Sequence, residues 1–205
     1  LKGDPPAQRP ARLRRVWSFD CDPNAPKENV HQYIRNSRVS PSNIYAMPVY
    51  VDGRVYVVAT GDLWWGKHKA WIKCVDATKT GDVTRSAELW SFEMRKACST
   101  PSISGGLVFV ADTSGNVHCL DDKTGKLHWT HRLRGRVYAS TLVADGKVYI
   151  GSTSGSFSIL AADKQEKVLH AADLDGPIWS TATAANGVVY VASARRLYAL
   201  SKSAK

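Results

Sequence analysis

Any catalysis by this chain would have to come from its histidines, acids and thiols, and their spacing argues against it. His68, His118, His128, His131 and His170 show no two-ligand helical spacing of the kind that sets two imidazoles around a metal. Three of them, His118, His128 and His131, fall on strand positions of a single repeat, where a solvated sheet face accounts for them. Calcium needs six to eight oxygen ligands. Most acids here stand in turns instead, Asp76, Asp121 and Asp122 in one kind and Asp52 and Asp145 in another, and the turn already explains each of them. The four cysteines have no C-x-x-C spacing, and Cys74 and Cys119 hold one repeat position, each two residues before an aspartate turn. They read as small buried hydrophobes. No G-x-S-x-G elbow and no phosphate-cradling glycine loop is present. No catalytic residue, cofactor ligand or metal ligand is assigned, and the reading leans away from an enzyme.

Binding chemistry is better represented. Gly61–His68 interrupts a strand pattern with Trp64, Trp65 and His68, and Lys96, Arg132, Arg134, Arg136, Arg195 and Arg196 follow other strands. A guanidinium beside an exposed indole suits an anionic or carbohydrate-like ligand, or a protein surface, through stacking and charge-assisted bonds. The 28 Lys and Arg against 18 Asp and Glu give a net charge of +10. The basic residues are nevertheless spread over arm, turns and tail without the interleaved aromatics of an RNA-binding surface, so nucleic acid is disfavoured and solubility explains most of the charge.

The elements that position these residues repeat. Leu107–Trp129 reads as three strands: an apolar run to Ala111, an alternating run Asn116–Leu120, and Lys126–His131 after the turn Asp121-Asp122-Lys123-Thr124-Gly125. Its Val110 corresponds to Ile150, 40 residues on, and to Val191, 41 further, while Val57 lies 53 before it. Each copy follows a hairpin signal, Asp52-Gly53, Gly105-Gly106, Asp145-Gly146 or Asn186-Gly187. Four strands per period of about 40 residues, without helical periodicity between them, predict blades of a β-propeller.

The expected architecture is all-β: four-stranded antiparallel blades, about four in this chain. They span 44–94, 98–133, 138–174 and 178–200, preceded by a flexible arm over 1–11. Val16-Trp17-Ser18-Phe19 matches Leu89-Trp90-Ser91-Phe92, so residues 14–19 are an outer strand whose blade is not ahead of them. They would complete the three-stranded last blade, or belong to a preceding or partner blade. The extra length of the first blade is expected at one place, Gly61–His68. Because strand direction alternates, this insertion and the long connection Cys21–Asn43 should open on one face, together with Lys96, Arg132, Arg134, Arg136, Arg195 and Arg196. No run of eighteen apolar residues exists to span a membrane.

Val75-Asp76-Ala77-Thr78-Lys79-Thr80-Gly81 with Trp90, and Leu120-Asp121-Asp122-Lys123-Thr124-Gly125 with Trp129, resemble the tryptophan-docking repeat of the PQQ-like, quinoprotein-dehydrogenase-type propellers. The resemblance covers nearly everything from Val16 to Leu200. It implies that Trp90 and Trp129 rivet neighbouring blades, with Asp76, Gly81, Asp121 and Gly125 as the docking turns. That family usually builds seven or eight blades, so the resemblance implies further N-terminal blades or a two-chain ring. Its dehydrogenases use a calcium-held quinone and often a vicinal Cys-Cys pair, which this sequence lacks. The implied role is a non-catalytic binding or scaffolding module, extracytoplasmic like the propellers that hold partners in barrel assembly. The alternatives are the C-terminal part of a PQQ-dependent dehydrogenase with its ligands elsewhere, and a basic propeller that binds an acidic polymer. The charge reading is checked on immobilised heparin: weak retention, lost below physiological salt, is expected, whereas retention that falls steeply only at high salt indicates a phosphate-type site.

Overall fold

The computed structural model describes residues 13–202, so the arm expected over 1–11 lies outside the described residues. The chain builds four antiparallel sheets in succession. Blade 1 contains β2 (Val49–Val51), β3 (Arg54–Thr60), β4 (Lys69–Asp76) and β6 (Glu88–Arg95), with a short β5 (Gly81–Asp82) between the last two. Blade 2 contains β7 (Ser102–Ser104), β8 (Leu107–Ala111), β9 (Asn116–Asp121) and β10 (Leu127–Arg132). Blade 3 contains β11 (Leu142–Ala144), β12 (Lys147–Gly151), β13 (Ser156–Ala161) and β14 (Val168–Asp173). Blade 4 has three strands, β15 (Thr183–Ala185), β16 (Val188–Ala192) and β17 (Leu197–Leu200). Each first hairpin turns where the sequence places it: Asp52-Gly53, Gly105-Gly106, Asp145-Gly146 and Asn186-Gly187 all have two successive positive φ angles, the type I′ geometry that matches strand twist.

Blades pack face to face. Tyr56, Val58, Ile72 and Cys74 of blade 1 meet Val108, Val110 and Leu120 of blade 2, and the opposite side of blade 2, Leu107, Phe109, Val117 and Cys119, meets Val148, Ile150 and Leu160 of blade 3. Blade 3 then buries Tyr149 and Phe157 against Val191 and Ile178. A middle blade is therefore apolar on both sides, which is why β8 reads as an unbroken Leu-Val-Phe-Val-Ala. Cys74 and Cys119 are both fully buried, and burial pushes their thiols up to about 11 and about 12.

One tryptophan crosses each of the first two interfaces. The Trp90 indole N–H donates to the Asp122 carbonyl at 3.0 Å and Trp129 to that of Asp163 at 2.8 Å. Gly125 holds a positive φ of 70°, and a Cβ there would stand 2.5 Å from the Trp90 ring. Gly81 does not share this role, since a Cβ there would meet nothing within 4 Å. The reason is register. The Asp76 amide bonds Ala87 as the Asp121 amide bonds Lys126, so Ser86, not Gly81, stands where Gly125 stands in blade 2. The extra length of blade 1 accordingly sits in two places, the β3–β4 loop and a second insertion carrying β5. Asp76 and Asp121 do act alike: each accepts the amide and hydroxyl of a nearby threonine, Thr78 or Thr124.

The N-terminal strand does not complete the last blade of its own chain. β1 (Trp17–Ser18) runs parallel to β5 rather than beside β17, and Trp17, Phe19 and Cys21 cover Val57, Val75, Val83 and Ala87. It therefore lies on the side of blade 1 that a preceding blade would occupy. Burial of those apolar side chains, with the Gly81 amide donating to Val16 and the Val83 amide to Ser18, holds it there.

Trp90→Ala and Trp129→Ala are each expected to cost roughly 3–5 kcal/mol in chemical denaturation, because each removes a large ring from between two sheets. A loss under about 1 kcal/mol would show that the rings do not couple the blades.

Candidate functional site

The segments leading into the blades meet along the inner edges of the sheets. The Met47 amide donates to Thr100 Oγ1, the Thr100 amide to Ser140 Oγ, and the Ser140 amide to Thr181 Oγ1, at 3.1, 2.9 and 3.0 Å. These bonds span 53, 40 and 41 residues, the intervals of the repeat itself. Two residues before each rung stand Tyr45, Cys98, Tyr138 and Trp179. Tyr138 and Trp179 pack with ring centroids 5.3 Å apart, and the Cys98 thiol points at the Tyr138 carbonyl. Three aromatics and a cysteine thus line one mouth of the propeller axis.

Both long insertions fold onto this mouth. The Lys67 amide bonds Ser40 Oγ, the His68 amide bonds the Ser37 carbonyl, and Asn43 pairs with Thr60 as a β-bridge. Asp62 shapes the β3–β4 loop by accepting the amides of Trp64 and Trp65 at 2.9 and 2.8 Å and the Tyr45 hydroxyl at 3.1 Å. Burial alone would raise its carboxyl, but the Trp65 and Trp64 amides outweigh that and hold it below the usual range. The two indoles are presented outward, Trp64 68% and Trp65 53% exposed, so the loop does not bury them. The Arg35 guanidinium lies 5.8 Å over the Trp65 ring.

Lys96 ties the loop to the next blade: its ammonium donates to the Leu63 carbonyl at 3.2 Å. Burial keeps that ammonium below its ordinary range; Asp62 opposes the shift and Arg136 adds to it. The Arg136 guanidinium reaches the Tyr138 hydroxyl at 3.4 Å. Of the nine residues expected to share this face, Trp64, Trp65, His68, Lys96 and Arg136 are linked through these contacts. Arg132 bonds Asn116, Arg134 pairs with Asp173 and Arg196 with Asp175, so these three are tied down on the rim. Arg195 packs beside Gly176. Arg35, Tyr45, Asp62, Tyr138 and Trp179 were not expected. For the aromatics a signal existed, since Tyr45, Tyr138 and Trp179 hold one repeat position, with Cys98 in the remaining copy; for Asp62 and Arg35 none did.

The histidines also needed the fold. His118 is buried rather than solvated: one ring nitrogen lies 3.3 Å from Asp112 Oδ2, the other 3.0 Å from Thr130 Oγ1, and Phe92 covers the ring. Asp112 also accepts the amides of Ser114 and Asn116 and the Asn116 side chain. That carboxylate fixes a loop and an imidazole, in a place roofed by the neighbouring blade. His131 pairs with Glu166 across the other interface of this blade, toward blade 3.

The long connection is anchored by charge. Lys67, nearly buried, donates to Asp22, which also accepts the Ser42 hydroxyl at 2.6 Å, and Lys27 bonds Asp20 and the Asp22 carbonyl. Burial would raise the Asp22 carboxyl, but the Lys67 and Ser42 bonds prevail and lower it.

These sheets form a partial β-propeller whose repeats are similar to PQQ-like ones. Residues 68–168 match the family model described as outer membrane protein assembly factor BamB. The chain is 28% identical over 83 residues to the outer membrane protein assembly factor BamB of Legionella pneumophila (strain Paris), a match covering 37% of this chain and 22% of that protein. BamB from Moraxella catarrhalis superposes with a TM-score of 0.58 at 18% identity, over 76% of this chain and 42% of that one. The computationally designed Ika4 protein gives 0.62 at 13% identity, over 93% and 99%. The quinohemoprotein alcohol dehydrogenase ADHIIG from Pseudomonas putida HK5 gives 0.60 at 15%, over 87% and 30%. The chain thus spans about a fifth of the curated relative's length. Among the described residues no helix is long and apolar enough to cross a membrane.

The anchor predicts a pH dependence. Because the folded Asp22 carboxyl lies below its unfolded value, its contribution is fully present above about pH 4 and fades as pH falls through the folded value. Thermal melts from pH 7 to pH 3 should show this loss in the native chain and a flatter profile in Asp22→Asn; parallel profiles would show that the pair anchors nothing.

Proposed function

We propose that the chain is a non-catalytic binding module that holds a protein partner on the loop-bearing mouth of its propeller, outside the cytoplasm, in the manner of an outer membrane protein assembly factor. The observation that carries this reading is the outward presentation of Trp64 and Trp65 by Asp62, with the Arg35 guanidinium over the Trp65 ring and the Tyr45 hydroxyl on the same carboxylate. Exposed aromatics gathered at one place are the usual mark of a partner surface, and tryptophan, tyrosine and arginine are the residues that carry binding energy there. The match to the assembly-factor model supports the class of role; the partner is read from the chemistry of the rim.

The nearby acids favour holding over chemistry. Asp62 is committed to two amides and a tyrosine, and Asp175 to Tyr198, Ser193 and Arg196. Neither is left with the open coordination that a calcium-held quinone requires. The same cation and indole surface also suits an anionic or sugar-like group on the partner.

A photo-crosslinking residue at position 65 in the chain expressed in a cell envelope should capture a protein, whereas one at Lys123, in a turn at the opposite end of the strands, should not. Arg136→Ala should weaken the capture at 65. Equal capture at both positions would overturn the reading. With PQQ and Ca²⁺ added, the melting temperature should stay unchanged; a concentration-dependent rise would favour the dehydrogenase-type alternative.

A further inference from the structure

One repeat position recurs in four copies around the axial mouth. The Thr60, Thr113, Thr153 and Ala194 amides donate to the carbonyls of Asn43, Lys96, Arg136 and Pro177, at 2.9, 2.7, 2.8 and 2.7 Å. These four residues are therefore equivalent, each opening the segment that leads into a blade. Two are neutral, and two, Lys96 and Arg136, are cations. The cations stand in successive copies, one between blades 1 and 2 and the other between blades 2 and 3. All three of those blades are four-stranded, so the pair is flanked by complete sheets on both sides.

Neither cation has a counter-ion among the described residues. Two lysines are buried there, Lys67 at 6% exposure and Lys96 at 8%. Lys67 meets the need of a buried charge by pairing with Asp22. Lys96 gives one of its three N–H groups to the Leu63 carbonyl, and two find no acceptor among the described residues. Burial lowers its ammonium, and while the charge of Asp62 opposes that shift, Arg136 adds to it. Asp62 supplies no bond, since its oxygens are committed to the Trp64 and Trp65 amides and the Tyr45 hydroxyl. The exposed Arg136 guanidinium has the Tyr138 hydroxyl at 3.4 Å and no carboxylate. Arg134 and Arg196, by contrast, are neutralised by Asp173 and Asp175. The open positive charge is thus a local pair and not a track. It adjoins the indole loop, because Leu63, which Lys96 holds, precedes Trp64.

From this geometry we infer that the mouth recognises an acidic segment of its protein partner: an Asp or Glu carboxylate enters between the Lys96 ammonium and the Arg136 guanidinium, while the residues flanking it lie against Trp64 and Trp65. This rests on the reading that the mouth holds a protein, and adds the chemistry by which it chooses one. A carboxylate supplies the acceptors that the two unfilled Lys96 N–H groups lack, and the planar Arg136 fork suits its two oxygens. A phosphate chain would need a run of open cations along its length, which this face does not offer. Placing the charge beside exposed indoles favours a segment in which an acid and an apolar side chain are neighbours.

The test titrates the purified chain, by calorimetry at physiological salt, with a short peptide carrying a leucine between two glutamates and with the same peptide carrying glutamines instead. The glutamate peptide is expected to bind about tenfold more tightly, the worth of one charge-assisted bond. Arg136→Gln should lose that preference and Arg136→Lys should keep most of it. Lys123→Gln, at the opposite end of the strands, should leave it unchanged. Arg136 is exposed, so these variants should keep the far-ultraviolet circular dichroism spectrum of the native chain. Peptides that do not differ, whether both bind or neither does, overturn the proposal. So does an equal loss in Lys123→Gln, which would assign the preference to net charge, and so does displacement of the glutamate peptide by polyphosphate at a lower concentration than by the free peptide. The crosslinker at position 65 separates the two readings. Capture that persists in Arg136→Gln overturns the acidic contact and leaves the partner surface standing, whereas no capture in the native chain defeats the partner surface itself.

Discussion

Each sheet in this chain is covered by the next one, and that single dependence organises the rest. A twisted sheet of short strands cannot bury both of its faces alone, so the apolar side chains of blade 2 are split between two neighbours. Stability is then close to a sum of blade-to-blade contacts, the first two reinforced at two radii. Near the axis the contact is a backbone amide on a Ser or Thr hydroxyl; at the periphery it is an indole N–H on a turn carbonyl. Between blades 3 and 4 the peripheral element is absent. Leu169 and His170 stand where the tryptophan would be, and a groove of about 770 Å³ opens beside Tyr149, Ile159 and Leu200.

What could be read from the sequence follows from how local each signal is. Two-residue turns of Asp-Gly, Asn-Gly or Gly-Gly declare themselves, because few residues tolerate two positive φ angles in succession. The tryptophans were visible for a similar reason, being large and recurrent. The hydroxyl rungs were not. Thr100, Ser140 and Thr181 are unremarkable residues in a loop, and each finds its donor in a different blade. The Thr80-Gly81 pair misled because a dipeptide identifies a turn but not its place in the ladder; pairing in blade 1 puts Ser86 under that position instead.

The candidate site divides along the same line. Trp64 and Trp65 stood out as an insertion in a regular repeat, and the face that carries them followed from strand alternation alone. The arginines did not resolve, because a long side chain is placed by whatever carboxylate lies within reach. Arg134 finds Asp173 and Arg196 finds Asp175, while Arg136, two residues from Arg134, is left for the axial rim. His118 was misjudged for the converse reason: an alternating strand pattern puts it on a face, but blade 1 covers that face with Phe92.

The loop is bound to the ring at several points, and this bears on what such a face can do. Thr60 bridges Asn43 through its backbone and accepts the Ala97 amide on its hydroxyl, while Lys96, one residue away, holds the Leu63 carbonyl. The strand that carries the Trp64-Trp65 loop is therefore fixed to the segment that enters blade 2, close to the axial rungs. Ordering a surface loop on binding costs free energy, and here most of that ordering is already in place before a partner arrives. A lid that must open and close over a reacting centre needs the opposite property, a segment of low local stability. The tethering of this loop from three sides favours a surface built to present two indoles in fixed positions, which is the requirement of a scaffold.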